Sequence, residues 1–227
     1  MKRAFPILAV LTAILLGYAL YQALIVAPTE VTMGNVQRIF YYHVPSAWTA
    51  FLLFAVNLVA SVIYLIRRNP KADAVAVTAA EVGVVFCTVV LVTGPLWARP
   101  VWGIWWTWDM RLTSTLVLWL IYVSYLLLRR FSSGGQTAVL AAILAIFGAL
   151  DVPLVYFSIW FFRTQHPQPV IGGGGSIDPR MLHVLLVNWV AFLCLAALVF
   201  CWRYQLEIMQ RQIEEAHALD ALLEPRS

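Results

Sequence analysis

A dense group of tryptophans is the part of this sequence whose residue types could do the most specific chemistry. Residues 97–114 read WARPVWGIWWTWDMRLTS and contain five of the ten tryptophans in the chain. Asp109 and two arginines, Arg99 and Arg111, lie among them. A plate of indole rings edged by charge suits a flat, apolar ligand that carries acidic groups. The stretch therefore predicts a binding site for such a ligand.

Helical spacing would gather these rings on one surface. If the stretch is a helix, one face carries four residues at i, i+3, i+4 and i+7, namely Trp102, Trp105, Trp106 and Asp109, with Trp108 and Arg111 beside it. Tryptophans also anchor proteins at membrane interfaces, but an anchor needs neither this density nor a carboxylate. In a site, Asp109 would hold Arg111 or an indole N–H, because indole is only a donor.

Two histidines have matching surroundings. His43, in RIFYYHVPSAW, and His166, in IWFFRTQHPQP, each follow aromatic residues and precede a proline. Two imidazoles beside an aromatic plate meet the needs of a haem iron ligated on both axial faces. His183, just inside the last apolar run, is the competing ligand, and His217 is expected in solvent. We therefore predict His43 and His166 as the axial ligands of a haem.

Arginines near these loops are candidates for binding the haem propionates, because the guanidinium fork matches a carboxylate. Arg38 and Arg111 are the predicted partners. The others are expected to meet lipid headgroups or Asp178. They are Arg99, Arg163 and Arg180.

Composition makes this an integral membrane protein. The chain of 227 residues is 62% hydrophobic and 11% charged, whereas soluble proteins are roughly a quarter charged. The net charge of +4 contains no basic block, so nucleic acid is not an expected partner. The three cysteines form no C-x-x-C pair, so any haem would be held without a covalent bond, as haem b. The sequence also lacks the G-x-x-x-x-G-K-[ST] loop that binds ATP phosphates.

Six apolar runs are long enough to cross a bilayer, which predicts an all-α protein with six transmembrane helices. They lie near 5–26, 47–66, 75–96, 113–130, 137–159 and 181–202. Paired basic residues at 2–3, 67–68 and 129–130 favour an orientation with both termini in the cytoplasm. The longer loops 27–46, 97–112 and 160–180 then face outward, and the tryptophan stretch occupies the second of them. We predict a membrane domain over 1–203 and a cytoplasmic tail over 204–227, either a solvated extension or a helix that docks a partner.

Two intramembrane carboxylates support rival functions. Glu81 and Asp151 fall within predicted spans, where acidic residues are costly and are commonly functional. A small-solute transporter would use them, although a hydrogen bond between helices is the more ordinary explanation. A membrane oxidoreductase that keeps haem as an electron carrier is the second alternative.

These motifs resemble those of a known family. WGIWWTWDMRLTS is similar to the tryptophan-rich "WWD" signature of haem-handling membrane proteins, and six spans with that signature in the second outer loop resemble the cytochrome c maturation protein C family, also called haem exporter protein C. QRIFYYHVPSAW resembles the first outer loop of that family and carries its histidine at His43. The second histidine of the family follows an aromatic pair, which matches Phe161, Phe162 and His166.

The resemblance implies a function and partners. It implies a protein of the bacterial inner membrane that binds haem at its outer face and presents it to a haem chaperone, cytochrome c maturation protein E. It also implies an ABC-type ATPase with its membrane subunit, and a small single-span subunit, as partners. The chain would then be a carrier and not an enzyme, with ATP hydrolysis in a partner.

Overall fold

The computed structural model describes residues 4–132, 134–167 and 177–223. Within these ranges the regular structure is helical apart from one isolated bridge between Glu30 and Gly34. The α-helices are α1 (Ala4–Tyr21), α2 (Phe40–Arg67), α3 (Pro70–Trp102), α4 (Met110–Phe131), α5 (Thr137–Ala149), α6 (Asp151–Phe161) and α7 (Pro179–Leu223). A π-helical turn, Gln22–Val26, extends α1, and a 3₁₀ turn, Asn35–Ile39, precedes α2.

Six helical segments are long and apolar enough to cross a membrane, which confirms the predicted architecture. They are Phe5–Val26, Asn35–Arg67, Pro70–Trp102, Met110–Phe131, Thr137–Phe161 and Pro179–Ala221. The second begins earlier than the sequence predicted, so His43 lies inside a helix and not before it. The fifth consists of α5 and α6, which are separated at Leu150.

The prediction that the tryptophan stretch is one helix is wrong. Helix α3 ends at Trp102, because Gly103 adopts a left-handed conformation with φ of 79° that glycine tolerates and other residues rarely do. Helix α4 begins only after Asp109, whose side chain caps it by accepting the N–H of Leu112. The residues between them form an irregular loop, so the later tryptophans do not share a helix face.

The centre of the bundle is an aromatic stack between α2 and α4. Phe54 and Tyr122 are both fully buried, and their ring centroids lie 3.9 Å apart at an interplanar angle of 11°. Glycines flank the pair on both sides. A Cβ added to Gly83 of α3 would lie 2.7 Å from the Phe54 ring, and one added to Gly148 of α5 would lie 3.2 Å from the Tyr122 ring. The stack therefore fixes how closely these four helices approach.

Ion pairs join the helices near the end of the bundle at which α1 begins and α7 ends, called here the tail end. Asp73 of α3 accepts two hydrogen bonds from Arg129 of α4, both 2.7 Å, and a third from Arg211 of α7 at 2.8 Å. Helix α7 passes through position 204 without a break, and Glu207 pairs with Arg211. The predicted tail is thus helical over 204–223 and contacts α3, and its residues 224–227 lie outside the described structure. Its division from the membrane domain stays a prediction.

The two intramembrane carboxylates have different surroundings. Glu81 of α3 forms a bidentate ion pair with Arg203 of α7, with both N–O distances at 2.8 Å. Asp151 starts α6 at the break in the fifth span, and one of its carboxylate oxygens is buried without a hydrogen-bond partner in the described structure. Glu81 therefore links two helices, in agreement with the expectation of a hydrogen bond between helices.

Candidate functional site

A cavity of about 760 Å³ lies at the end of the bundle opposite the tail end, called here the site end. The three longer loops and the adjacent helix ends converge on it, and its lining includes His43, Arg111 and His166. It continues between α2 and α3 as far as Phe51 and Cys87, where its walls are apolar. Residues that are far apart in the sequence therefore face one space.

His43 is held rigidly in the cavity wall. Only 9% of its surface is exposed, and its Nδ1 lies 2.9 Å from the hydroxyl oxygen of Thr93 on α3. The ring also meets the Trp97 indole edge-on, with centroids 5.9 Å apart. These contacts fix the ring plane and leave Nε2 without a hydrogen-bond partner among the described residues.

His166 lies across the cavity, in the loop after α6. Its Nδ1 lies 2.9 Å from the carbonyl oxygen of Pro167, which can only accept, so Nδ1 carries the proton and Nε2 has the lone pair. Burial, and then the positive charge of Arg111, lower the pKa of His166 to about 4. The imidazole is therefore neutral at physiological pH, the form that binds a metal.

His183, the competing ligand, lies elsewhere. It belongs to α7, its side chain is exposed, and it is not part of the cavity lining. The structure therefore brings His43 and His166 to one cavity and leaves His183 outside it.

Four indoles line the cavity, those of Trp48, Trp97, Trp102 and Trp106, and the first of them lies on α2. Trp102 and Trp106 belong to the predicted plate, whereas Trp97, which packs edge-on against Phe40, was not predicted as part of it. Helix α3 continues to Trp102, so Trp97 and Trp102 lie on the same helix. A predicted third span that ended at Trp102 would have grouped Trp97 with the other tryptophans. The indole N–H groups of Trp97 and Trp106 are buried and have no partner within the described structure. They are free to donate to a ligand.

The other two predicted plate residues point away from the cavity. Trp105 is 56% exposed and Trp108 is 77% exposed, and neither lines the cavity. Trp108 packs edge-on against Trp106, with centroids 5.8 Å apart. The loop between α3 and α4 thus divides its indoles between the cavity and the surface.

Of the two arginines predicted to meet propionates, one lines the cavity. Arg111 reaches the carbonyl oxygens of Val155 and Tyr156 only through long hydrogen bonds of 3.4 Å, so its guanidinium retains donors for a ligand. Arg38 lies outside the lining. It donates to the carbonyl oxygens of Ala23 and Ala27, at 2.7 and 3.2 Å, and so ties the end of the first span to the start of α2.

Asp109 has a structural role in the same loop. Its carboxylate accepts hydrogen bonds from the Leu112 N–H and from the Thr107 hydroxyl, at 3.0 and 2.9 Å. Among the described residues it forms no ion pair with Arg111. Asp109 therefore orders the loop by capping α4, and it positions Arg111, two residues later, through the helix and not by direct contact.

A second charged pair lies at the rim. Arg180 donates to the Asp178 carboxylate at 2.8 Å, as expected for one of the remaining arginines. These hydrogen bonds, with those from backbone N–H groups, lower the pKa of Asp178 to about 2. Both residues are among those that line the cavity mouth.

The residues of the cavity fit a haem. Two imidazoles whose Nε2 atoms have no partner among the described residues suit iron, and apolar and indole walls suit the porphyrin. Arg111 and the unpartnered indole N–H groups supply the few polar donors that a carboxylate-bearing ligand requires.

Comparison with known proteins identifies the family. A sequence model of the family described as "Heme exporter protein C" matches residues 1–219. The chain belongs to this family. It is 37% identical to the "Heme exporter protein C" of Bradyrhizobium diazoefficiens over 222 residues, covering 96% of this chain and 84% of that protein. It is 35% identical to that of Escherichia coli over 193 residues, covering 85% and 78%.

A plant relative matches as well. The "Putative cytochrome c biosynthesis ccmC-like mitochondrial protein" of Marchantia polymorpha is 35% identical over 187 residues, covering 82% of this chain and 80% of the relative. Membership of the Heme exporter protein C family, together with the six spans, makes the chain a multi-pass protein of the bacterial inner membrane.

Proposed function

We propose that this protein binds haem b non-covalently in the cavity at the site end and presents it to a haem chaperone during cytochrome c maturation. One observation carries the proposal, namely that His43, His166 and Arg111 line the same cavity. Membership of a family whose relatives are named for haem export and cytochrome c biosynthesis supports the coarser function, haem handling.

The residues divide the task of binding. His43 and His166 would offer their Nε2 atoms to the iron, and a hydrogen bond at Nδ1 orients each ring. Trp97, Trp102 and Trp106 exclude water from the porphyrin faces and edge. Arg111 offers its guanidinium to a propionate. A bound haem would supply an iron that takes imidazole nitrogens as ligands, and His43 and His166 would hold it.

Presentation follows from where the cavity lies. It is formed by loops at the site end, and the exposed Trp105 and Trp108 adjoin it on the surface. A soluble or singly anchored chaperone would therefore meet the haem edge without entering the bundle. The protein acts as a carrier, beside an ABC-type ATPase with its membrane subunit and a small single-span subunit. We place the site end on the outer side.

The transporter alternative has little support. Glu81 is paired with Arg203, and neither Glu81 nor Asp151 lines the cavity. An oxidoreductase that keeps its haem differs from a carrier in one measurable respect. The carrier loses haem to its chaperone, whereas the oxidoreductase retains it and cycles with a quinone.

The test is the visible absorption of purified protein from cells that make haem. We expect a Soret band in the wild type, and a weakened or shifted band in His43→Ala and in His166→Ala, because each loses one axial ligand. His183→Ala is the matched control and should retain the wild-type spectrum. A colourless wild type, or a spectral change in His183→Ala alone, would refute the ligand assignment. Incubation with the chaperone should transfer the band to it.

A further inference from the structure

A threonine behind His43 has no assigned role, and its contacts bear on how that histidine binds. Thr93 lies on α3 and does not line the cavity, so it cannot touch a ligand there. Its hydroxyl oxygen nevertheless lies 2.9 Å from Nδ1 of His43, across the interface between α2 and α3. The contact joins residues 50 positions apart in the sequence.

The direction of this hydrogen bond follows from the other partner of the hydroxyl. Thr93 Oγ1 lies 2.6 Å from the carbonyl oxygen of Val89, one turn earlier on the same helix. Two oxygens at that distance need a proton between them, and a carbonyl cannot supply one. The single hydroxyl proton of Thr93 is therefore donated to Val89. Towards His43, the hydroxyl can only accept.

Since the hydroxyl accepts, Nδ1 of His43 must carry the proton of the neutral ring. The lone pair is then on Nε2, the atom that remains for a ligand. Gly94, the next residue, keeps the adjacent part of the ring accessible, since a Cβ there would lie 3.5 Å from Cε1 of His43. Thr93 thus holds the Nδ1 atom of the imidazole, and Gly94 leaves the Cε1 atom uncovered.

We propose that Thr93 is a positioning residue that holds His43 in the Nδ1–H tautomer and so presents Nε2 to the haem iron. This inference rests on the proposed function for the metal, but the tautomer itself is a property of the protein without haem. Partners of this kind orient metal-binding histidines and raise their basicity, and their loss commonly costs about 10- to 100-fold in metal affinity.

Helix α3 offers a matched control. Thr88 makes the same two contacts but is exposed and does not line the cavity. Its hydroxyl lies 2.8 Å from the Val84 carbonyl and accepts the indole N–H of Trp119 at 2.8 Å. Thr88→Val removes a hydroxyl with the same local role in the helix. Any effect of Thr93→Val that Thr88→Val shares is a general effect on α3.

The first measurement uses haem-free protein in detergent with ¹⁵N-labelled histidine, whose two ring nitrogens have different chemical shifts in the two neutral tautomers. His43→Ala identifies the signals. We expect His43 to be Nδ1–H in the wild type, in Thr93→Ser and in Thr88→Val, and to gain the Nε2–H form in Thr93→Val. An Nε2–H wild type, or a Thr93→Val signal identical to the wild type, would overturn the proposal.

The second measurement is haemin titration of the same four proteins, followed by the Soret band. We expect Thr93→Val to bind about 10-fold more weakly, with affinity restored in Thr93→Ser and unchanged in Thr88→Val. Equal affinity in Thr93→Val and the wild type would refute the positioning role. If His43→Ala also binds haemin normally, the haem-site proposal itself fails, so the two failures are distinguishable.

Discussion

At the scale of single residues, side chains of the same type and neighbouring position differ in whether they line the cavity. Trp105 and Trp106 are neighbours with the same chemistry, yet only Trp106 lines the cavity, whereas Trp105 is 56% exposed. The irregular loop after Gly103 turns consecutive side chains in different directions. Helical spacing therefore does not predict which tryptophans face the cavity. Adjacent tryptophans should consequently differ in what their loss does to haem binding.

We expect Trp106→Ala to weaken haemin binding about 10-fold while Trp105→Ala leaves it within about two-fold. Removing roughly 60 Å² of apolar contact at ~25 cal/mol per Å² costs about 1.5 kcal/mol, which corresponds to about a factor of ten. Titration of the purified variants measures both values, and Trp106→Phe should lie between Trp106→Ala and the wild type. Equal losses at the two positions would mean that the loop changes conformation when haem binds.

At the scale of helices, close approach in the middle of the bundle depends on residues without side chains. Gly83 faces the ring of Phe54, which is buried and stacked on Tyr122, so the ring cannot move away freely. The sequence predicted the spans themselves from their apolar length. It did not predict this packing, because a glycine in an apolar run has no periodicity of its own and its partner is 29 positions away.

Gly83→Ala should destabilise the protein by about 1–3 kcal/mol, the usual cost of overpacking a filled core. The added methyl group would lie 2.7 Å from the Phe54 ring. Thermal unfolding in detergent, monitored by size-exclusion chromatography, measures the loss. Gly17→Ala is the control, because no atom lies within 4 Å of a Cβ at that position. A melting temperature equal to that of the control would show that Phe54 can move aside.

The ion pairs at the tail end also join helices, and their contribution to stability can be measured. Asp73 is 5% exposed and is shared by Arg129 and Arg211, so either arginine alone still neutralises it. We expect Arg129→Gln and Arg211→Gln each to cost about 1 kcal/mol, and the double variant to cost about 3 kcal/mol or more, because an unpaired buried carboxylate then remains.

Thermal unfolding of the two single variants and the double variant tests this non-additivity. Arg180→Gln is the control, since its partner Asp178 is near the surface and exposed ion pairs contribute little. A double variant whose loss equals the sum of the single losses would mean that water reaches Asp73.

At the scale of the whole molecule, α1 begins and α7 ends at the tail end, and the described parts of the three long loops meet at the site end. The sequence predicted the six spans, since span length is a local signal, and the cytoplasmic placement of both termini stays a prediction. It also predicted His43, His166 and Arg111, whose loops converge. It did not anticipate that Trp105 and Trp108, on irregular backbone, lie outside the cavity lining, or that Arg38 is used within the fold. Their roles in binding stay predictions.

Labelling in intact cells determines which side the cavity faces. Single cysteines would replace Ile104, 41% exposed beside the cavity, and Gln136, exposed at the start of α5, in a protein without Cys87, Cys194 and Cys201. A membrane-impermeant thiol reagent should label position 104 and spare position 136, because the basic pairs predict a tail end in the cytoplasm. Labelling of position 136 alone would show the opposite orientation and would contradict the proposed presentation to an outer-side chaperone.

The glycine-flanked aromatic stack has a consequence for how such sequences can change. Gly83, Phe54, Tyr122 and Gly148 form one row across four helices, so the available volume is shared along the row. An enlargement at one position is tolerated only if its neighbour shrinks, and Phe54→Leu should therefore rescue Gly83→Ala. Among related chains, residue sizes at positions 54 and 83 should covary inversely. Substitutions at positions 54 and 83 that each destabilise the protein alone would then be neutral when they occur together.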